Sequence, residues 1–183
     1  MKNIYLLFVS LFFCYNPLLA QNNCIDIKVQ KIITSLKKGC RPEPNLYWSK
    51  ECNDKHLKQF KEGASYLVAQ SILDRFGRTL LGRPDGQFVM SKKEMDLLLN
   101  NAKGNLAYVE TQLGIPAGAW KNNILVRIDI PLPFELNIRI PSGNESGANE
   151  LWIAGGKLPT GYLEAVIDAI PEGKYTEKII DLK

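Results

Sequence analysis

The polar stretch of residues 141–161 holds the residue types in this chain best suited to binding or catalysis. It is rich in Gly, Asn and Ser, although strongly apolar segments flank it on both sides. Ordering such a loop costs backbone entropy, so it is either exposed slack or a binding surface that its neighbours hold in place. The stretch and the arginine just before it offer groups that could bind phosphate, ribose and amide moieties: Arg139, Ser142, Asn144, Glu145 and Asn149. This composition favours a functional loop.

A single carboxylate follows this loop. Glu164 comes three residues after Gly161 and directly before an apolar run. At the mouth of a strand, a carboxylate can point into a cleft and stabilise a developing cation or orient a sugar hydroxyl. The alternative is an ordinary surface glutamate at a strand edge, and the neighbouring loop makes the two interpretations equally good.

Residues 82–88 form a third candidate, because one proline and two glycines predict a rigid turn. Arg83 could project a phosphate-binding guanidinium from this turn, and Gln87 begins the strand predicted after it. A plain tight turn explains the same residues equally well. Arg127 and Asp129 lie two apart on one predicted strand face, where a surface ion pair is the simpler interpretation.

The elements that must position these residues are helices first and strands later. Helical spacing of apolar residues predicts helices over residues 24–38 and 54–76, although residues 64–68 could instead form a short strand. Ser91 and Glu94 have the spacing of a capping box, and Asn105 can cap a further helix that stops at Gly114. Strands are expected at 87–90, 124–130, 136–140, 151–153, 164–170 and 175–180.

The alternation along residues 124–130 predicts a strand with one buried and one exposed face. Helices followed by strands predict an α+β fold with a mostly antiparallel sheet.

The N-terminal residues predict export. Lys2, the apolar run of residues 4–14 and Ala20 have the pattern of a cleavable signal peptide, so residues 1–20 are expected to be removed. The run is shorter than the ~20 residues of a spanning helix, so no membrane span is expected after cleavage. The mature protein would be periplasmic or secreted, an oxidising setting in which a Cys40–Cys52 disulfide is plausible.

The charge and histidine content exclude some functions. The formal net charge is +4, and no dense basic block is present, so a nucleic-acid partner is permitted but not required. His56 is the only histidine. Chemistry that needs two histidines within the chain, such as a His-rich zinc site, is therefore excluded, and no metal is expected.

Four segments together resemble the C-terminal toxin domains of bacterial polymorphic toxins, of the Rhs and contact-dependent-inhibition types. They are residues 82–89, 126–131, 141–149 and 164–166, and the resemblance spans about residues 63–176. It implies a toxin-like catalytic domain over residues 63–183, after a helical segment over residues 21–62. An immunity protein and a protein or nucleic-acid target are the partners that it implies.

The closing residues 164–175 are similar to the last segment of ADP-ribosyltransferase-like folds. The resemblance implies NAD as substrate, with Glu164 orienting the nicotinamide ribose and Arg83 or Arg127 binding the phosphates. The chain departs from that pattern, since it has no Ser-Thr-Ser stretch and Tyr162 stands two positions before Glu164, where a second acid would be. These departures are compatible with NAD hydrolysis or with transfer to an acceptor other than arginine.

Two alternatives stay open. The first is a metal-independent ribonuclease toxin, in which four residues would position the scissile phosphate: Arg127, Ser142, Glu145 and Glu164. The placement of His56 in the predicted helical part argues against it, because it leaves no general-base histidine. The second is an exported domain without catalysis, whose loop only contacts a partner.

Overall fold

The computed structural model describes residues 24–183. This part of the chain contains five α-helices and seven β-strands, joined by loops and short 3-10 turns. The helices are α1 (Ile27–Ser35), α2 (Lys50–Leu57), α3 (Gln70–Phe76), α4 (Lys92–Ala102) and α5 (Leu106–Leu113). The strands are β1 (Ala64–Ala69), β2 (Leu80–Leu81), β3 (Gln87–Ser91), β4 (Leu125–Ile130), β5 (Ala165–Ile167), β6 (Ile170–Pro171) and β7 (Thr176–Ile180). The predicted signal peptide lies outside the described residues.

The main sheet has five strands in the order β5-β3-β1-β4-β7, and every neighbouring pair is antiparallel. β2 and β6 form a separate two-stranded sheet. The prediction of an α+β fold with an antiparallel sheet is confirmed, while the ADP-ribosyltransferase-like assignment stays a prediction.

β1 occupies the centre of the sheet, so the strand alternative for residues 64–68 is correct and the continuous helix over 54–76 is wrong. The chain turns into β1 at Gly63, which has a φ of +113°. A Cβ on Gly63 would lie 3.0 Å from the carbonyl oxygen of Ile130, so this close approach of two backbones requires glycine. Helix resumes only at Gln70.

β4 is buried on both faces, which corrects the expectation of a half-buried strand. Its even-numbered residues join a core with β1, β3 and β5. On the other face, Leu125 and Arg127 are also buried. The reason is position: β4 lies between β1 and β7, and a second core that includes α4 and α5 covers the main sheet from this side.

The helix starts are set by side-chain caps, as predicted. The Ser91 hydroxyl accepts a hydrogen bond from the backbone N–H of Glu94, and the side-chain oxygen of Asn105 accepts one from the backbone N–H of Tyr108. The Glu94 carboxylate accepts a hydrogen bond from the backbone N–H of Leu163 at 2.9 Å and a longer one, of 3.5 Å, from the Ser91 hydroxyl. Glu94 therefore ties α4 to the segment that carries the candidate carboxylate.

Two predicted strands do not form. The chain at Pro133–Leu136 makes a 3-10 turn, after which Arg139 alone bridges to Val166. Residues 151–153 do not form a strand, and Trp152 is buried in a third core with Ile33 and Ala154. The expected strand over residues 164–170 is broken into β5 and β6.

The disulfide joins Cys24 to Cys52, and Cys40 is an exposed free thiol. The expected Cys40–Cys52 pair is wrong. α1 and α2 bring the Cα atoms of Cys24 and Cys52 to 5.5 Å, whereas the neighbours of Cys40 are drawn to the loop of residues 141–150. Within residues 24–183, no helix combines the length and apolar character needed to cross a membrane.

Candidate functional site

The loop of residues 141–150 is folded around the carboxylate of Glu145. One carboxylate oxygen accepts hydrogen bonds from the backbone N–H and hydroxyl of Ser142, at 2.9 and 3.2 Å, and the other accepts from the Gly143 N–H at 2.8 Å. Both Ser142 and Glu145 are buried. These two predicted catalytic residues therefore hold the turn of the loop, and the loop is not slack.

Residues 39–41 of the N-terminal helical segment hydrogen-bond to the same loop. The Asn144 side-chain oxygen accepts hydrogen bonds from the backbone N–H groups of Gly39 and Arg41, and its amide nitrogen donates to the Arg41 carbonyl at 2.9 Å. The Arg41 guanidinium donates to the Gly143 carbonyl and lies 4.3 Å from the ring centroid of Trp152. Asn144, predicted to bind a cofactor, instead binds the chain itself.

Gly143 is required where it stands. Its φ is +80°, and a Cβ there would lie 2.6 Å from the ring of Trp152. Asn149 is also engaged, since its amide donates to the Leu113 carbonyl and its oxygen accepts from the Leu151 N–H. The loop is thus anchored to Trp152 and α5 as well as to the N-terminal segment.

A small open cavity of about 220 Å³ lies between this loop and the turn of residues 82–89. Its lining consists of Glu43, Asp85, Arg139, Ser142, Asn144 and Glu145. Three carboxylates and one guanidinium make the cavity net negative, so it is better suited to a cationic group than to phosphate.

Asp85 and Arg139 both line this cavity, and both are held by hydrogen bonds. The Asp85 carboxylate accepts hydrogen bonds from the backbone N–H and the hydroxyl of Ser146. Both bonds lower the pKa of Asp85, and the bond from the backbone N–H has the larger effect. Arg139 donates to Asp168 at 2.7 Å and remains partly exposed. Of the residues predicted to bind a cofactor, Arg139 and Asn144 line the cavity.

Glu164 has a carboxylate oxygen that is buried and has no hydrogen-bond partner within the described residues. Burial raises the pKa of Glu164 to about 7, and the negative charge of Glu145 adds to the shift. Glu164 does not line the cavity, but Glu145 does. A buried polar atom without a partner needs an explanation, and a strongly perturbed carboxyl group is a common mark of a functional site.

His56 was missed by the sequence reasoning as part of this site. Its Nε2 lies 2.8 Å from the backbone carbonyl oxygen of Glu164, and its ring packs against Trp48 and Phe60. Burial lowers the pKa of His56. No spacing in the sequence indicates this contact, because His56 and Glu164 are 108 positions apart.

The remaining predicted residues do not join the cavity. Arg127 donates to Asp96, Asp129 and the Ser65 hydroxyl. The Asp129 pair was expected, but Arg127 is only 5% exposed and is not a surface residue. Because all these contacts hold Arg127 between β1, β4 and α4, it is not placed to bind phosphates at the cavity.

Arg83 and Gln87 lie on the turn that borders the cavity. Arg83 is exposed, with its side chain beside Gly147. Gln87 donates to the carbonyl of its neighbour Phe88. Arg83 is thus the predicted phosphate-binding arginine that remains accessible at this edge.

No cluster of three or more His, Cys, Asp or Glu side chains in residues 24–183 is arranged to hold a metal ion. The chain matches no protein-family model, and no curated protein sequence is significantly similar to it.

Proposed function

We propose that this chain is an exported, toxin-like enzyme that cleaves the bond between nicotinamide and ribose in NAD and transfers ADP-ribose to a target or to water. The observation that carries the proposal is the carboxyl group of Glu164, whose Oε2 atom is buried and has no hydrogen-bond partner within residues 24–183. Glu145, by contrast, is fully used in holding its loop.

The chemistry of the proposed reaction suits a buried carboxylate. When the C–N bond breaks, its electron pair leaves with the nicotinamide nitrogen, and positive charge develops on the ribose. An ionised Glu164 would stabilise that charge, and a water or target nucleophile would then bond to the ribose carbon and lose its proton. A fixed charge aimed at a developing charge acts most strongly where water is excluded.

The charge distribution supports the same substrate class. The nicotinamide ring of NAD is cationic, and the net negative cavity would attract that end of the molecule. Its volume, about 220 Å³, is below the ~300 Å³ of the smallest typical sites for whole ligands, so the rest of the dinucleotide would lie outside. Exposed Arg83 at the rim is the group proposed to meet the phosphates.

Export and a role in competition between bacteria rest on different observations. The signal-like N-terminus and the Cys24–Cys52 disulfide both suit a secreted or periplasmic protein. The toxin-like role, with an immunity protein as partner, rests on the resemblance of residues 63–176 to polymorphic toxin domains.

The ribonuclease alternative gains one observation, since the fold brings His56 into contact with the Glu164 backbone. However, the Nε2 hydrogen of His56 is already donated to a carbonyl, and the ring is buried. The NAD hypothesis therefore uses the Glu164 carboxyl group, whose Oε2 atom has no partner within the described residues, and the ribonuclease hypothesis needs His56 to leave its contact.

The test is to incubate the mature, oxidised protein with NAD and, separately, with total tRNA. Nicotinamide release should be lost in Glu164→Ala and kept in Glu150→Ala, an exposed glutamate of the same polar stretch. RNA cleavage without loss of NAD would favour the ribonuclease. Neither activity would favour a binding domain, and an unchanged Glu164→Ala variant would refute the assigned site.

A further inference from the structure

His56 is a buried titratable group that contacts the candidate carboxylate residue and for which the proposed function has no use. It is 8% exposed and belongs to α2, in the helical segment that precedes the proposed catalytic domain. Its ring lies between Trp48, with ring centroids 5.4 Å apart, and Phe60, at 5.7 Å. These aromatic contacts restrict the ring to one orientation.

In that orientation, His56 holds the backbone of Glu164. A carbonyl oxygen can only accept a hydrogen bond, so the Nε2 atom of His56, 2.8 Å away, must carry the hydrogen. This contact fixes the tautomer of the ring. Because burial lowers the pKa of His56, the neutral donor form persists at neutral pH.

Gly156 also holds the backbone of Glu164, through a second hydrogen bond. Its carbonyl accepts a hydrogen bond of 2.7 Å from the backbone N–H of Glu164. A Cβ on Gly156 would lie 2.9 Å from the His56 ring and 3.2 Å from the Glu164 carbonyl oxygen, and its φ is +62°. Glycine is therefore what allows His56 and Glu164 to meet.

We infer that His56 is a positioning residue that keeps the Glu164 carboxyl group, with its buried Oε2 atom, in place in the site. The inference rests on the proposed role of Glu164. It follows that the helical segment, of which the structure describes residues 24–62, is part of the site and not an appendage to a separate catalytic domain. The Oε2 atom of Glu164 is buried and has no hydrogen-bond partner within the described residues, so the hydrogen bonds to the backbone N–H and carbonyl of Glu164 are what hold that atom in place.

The test measures the pKa of Glu164 directly, by following its side-chain carboxyl carbon by NMR in the full mature protein. In His56→Phe, which keeps an aromatic ring but cannot donate, the carboxyl should gain access to water. Its pKa should fall by about one unit or more toward an ordinary glutamate value. In His56→Gln, whose amide nitrogen can still donate, the pKa should stay near that of the native protein.

Gly156→Ala tests the same contact with His56 intact, in case the histidine variants do not fold. It should lower the pKa of Glu164 in the same direction. A Glu164 pKa that is unchanged in both His56→Phe and Gly156→Ala would overturn the inference.

Activity provides a second readout that separates the two proposals. If the native protein cleaves NAD, kcat should fall on the order of tenfold to a hundredfold in His56→Phe and be restored in His56→Gln. If the native protein does not cleave NAD, the proposed function fails, while the pKa measurements still decide whether His56 positions Glu164.

Discussion

The side chain of Asn144 pairs with both the backbone N–H and the backbone carbonyl of Arg41. Its oxygen accepts from the Arg41 N–H at 3.2 Å, and its amide nitrogen donates to the Arg41 carbonyl at 2.9 Å. The two residues are 103 positions apart in the chain. An asparagine of the polar loop thus takes the place that a neighbouring strand would take, and it joins the N-terminal segment to the site.

Removing this link should loosen the N-terminal segment. Asn144→Ala leaves the N–H groups of Gly39 and Arg41 without their acceptor, so we expect the free energy of unfolding to fall by about 1 to 3 kcal/mol. Urea denaturation measures the loss, and the exposed Asn100→Ala on α4 is the matched control. Amide exchange at Gly39 and Arg41 should quicken, and equal stability of the two variants would contradict the link.

The raised pKa of Glu164 should make stability depend on pH. A carboxyl group with a pKa near 7 in the folded state and near 4.5 unfolded binds its proton more tightly when folded. The protonated carboxyl group therefore adds its full stabilisation to the folded state below pH 4.5, and this stabilisation is lost as the pH rises through about 7. Glu164→Gln should match the native protein at pH 4.5 and exceed its stability at pH 8, by about 3 kcal/mol at most.

Thermal or urea unfolding at the two pH values checks this prediction. Glu150→Gln, at an exposed position, should show no such pH-dependent gain. A Glu164→Gln variant that gains equally at both pH values would show that burial of the charge is not the cause.

The disulfide should stabilise the fold through Cys24 and Cys52 alone. The bond closes a chain separation of 28 residues, for which the loop-entropy relation gives about 3.5 kcal/mol. Cys24→Ser should lose stability of that order when compared with the oxidised native protein, whereas Cys40→Ser should change little. Mass mapping of the oxidised chain checks the pairing, and a Cys40–Cys52 peptide would contradict it.

Arg127 and Arg83 should separate stability from substrate binding. Arg127→Met leaves Asp129 and Asp96 without their buried partner and should cost about 3 kcal/mol in stability. Its KM for NAD should stay unchanged in the folded fraction. Arg83→Met should keep stability and raise KM about tenfold. The reverse pattern in steady-state kinetics would restore Arg127 as the phosphate-binding residue.

Local signals in the sequence predicted the parts of the fold that local interactions determine. The caps at Ser91 and Asn105 predicted α4 and α5, because a cap needs only neighbouring residues. The burial of both faces of β4 was not predictable, since it depends on which strands and helices lie beside it. The apolar spacing of residues 54–76 fits a continuous helix, so the sequence leaves β1 only as an alternative. The strand forms because it pairs with β3 and β4.

The site followed the same rule. Composition and order single out the loop of residues 141–150 and Glu164 as candidates, but they do not show which contacts the loop residues make. Glu145 and Asn144 are of residue types that often bind ligands. In the structure, Glu145 instead accepts hydrogen bonds within the loop turn, and Asn144 hydrogen-bonds to the backbone of Arg41. His56 reaches Glu164 across 108 positions, a contact that no sequence spacing reveals.

The pH dependence of kcat/KM for nicotinamide release from NAD tests the central claim most directly, because it reports the essential group of the free enzyme. If an ionised Glu164 stabilises the developing ribose cation, kcat/KM should rise with pH to a plateau, with an apparent pKa of about 7. Glu164→Gln should lose at least about a hundredfold and show no such rise. Native and Glu164→Gln proteins with the same rate and the same profile would contradict the account.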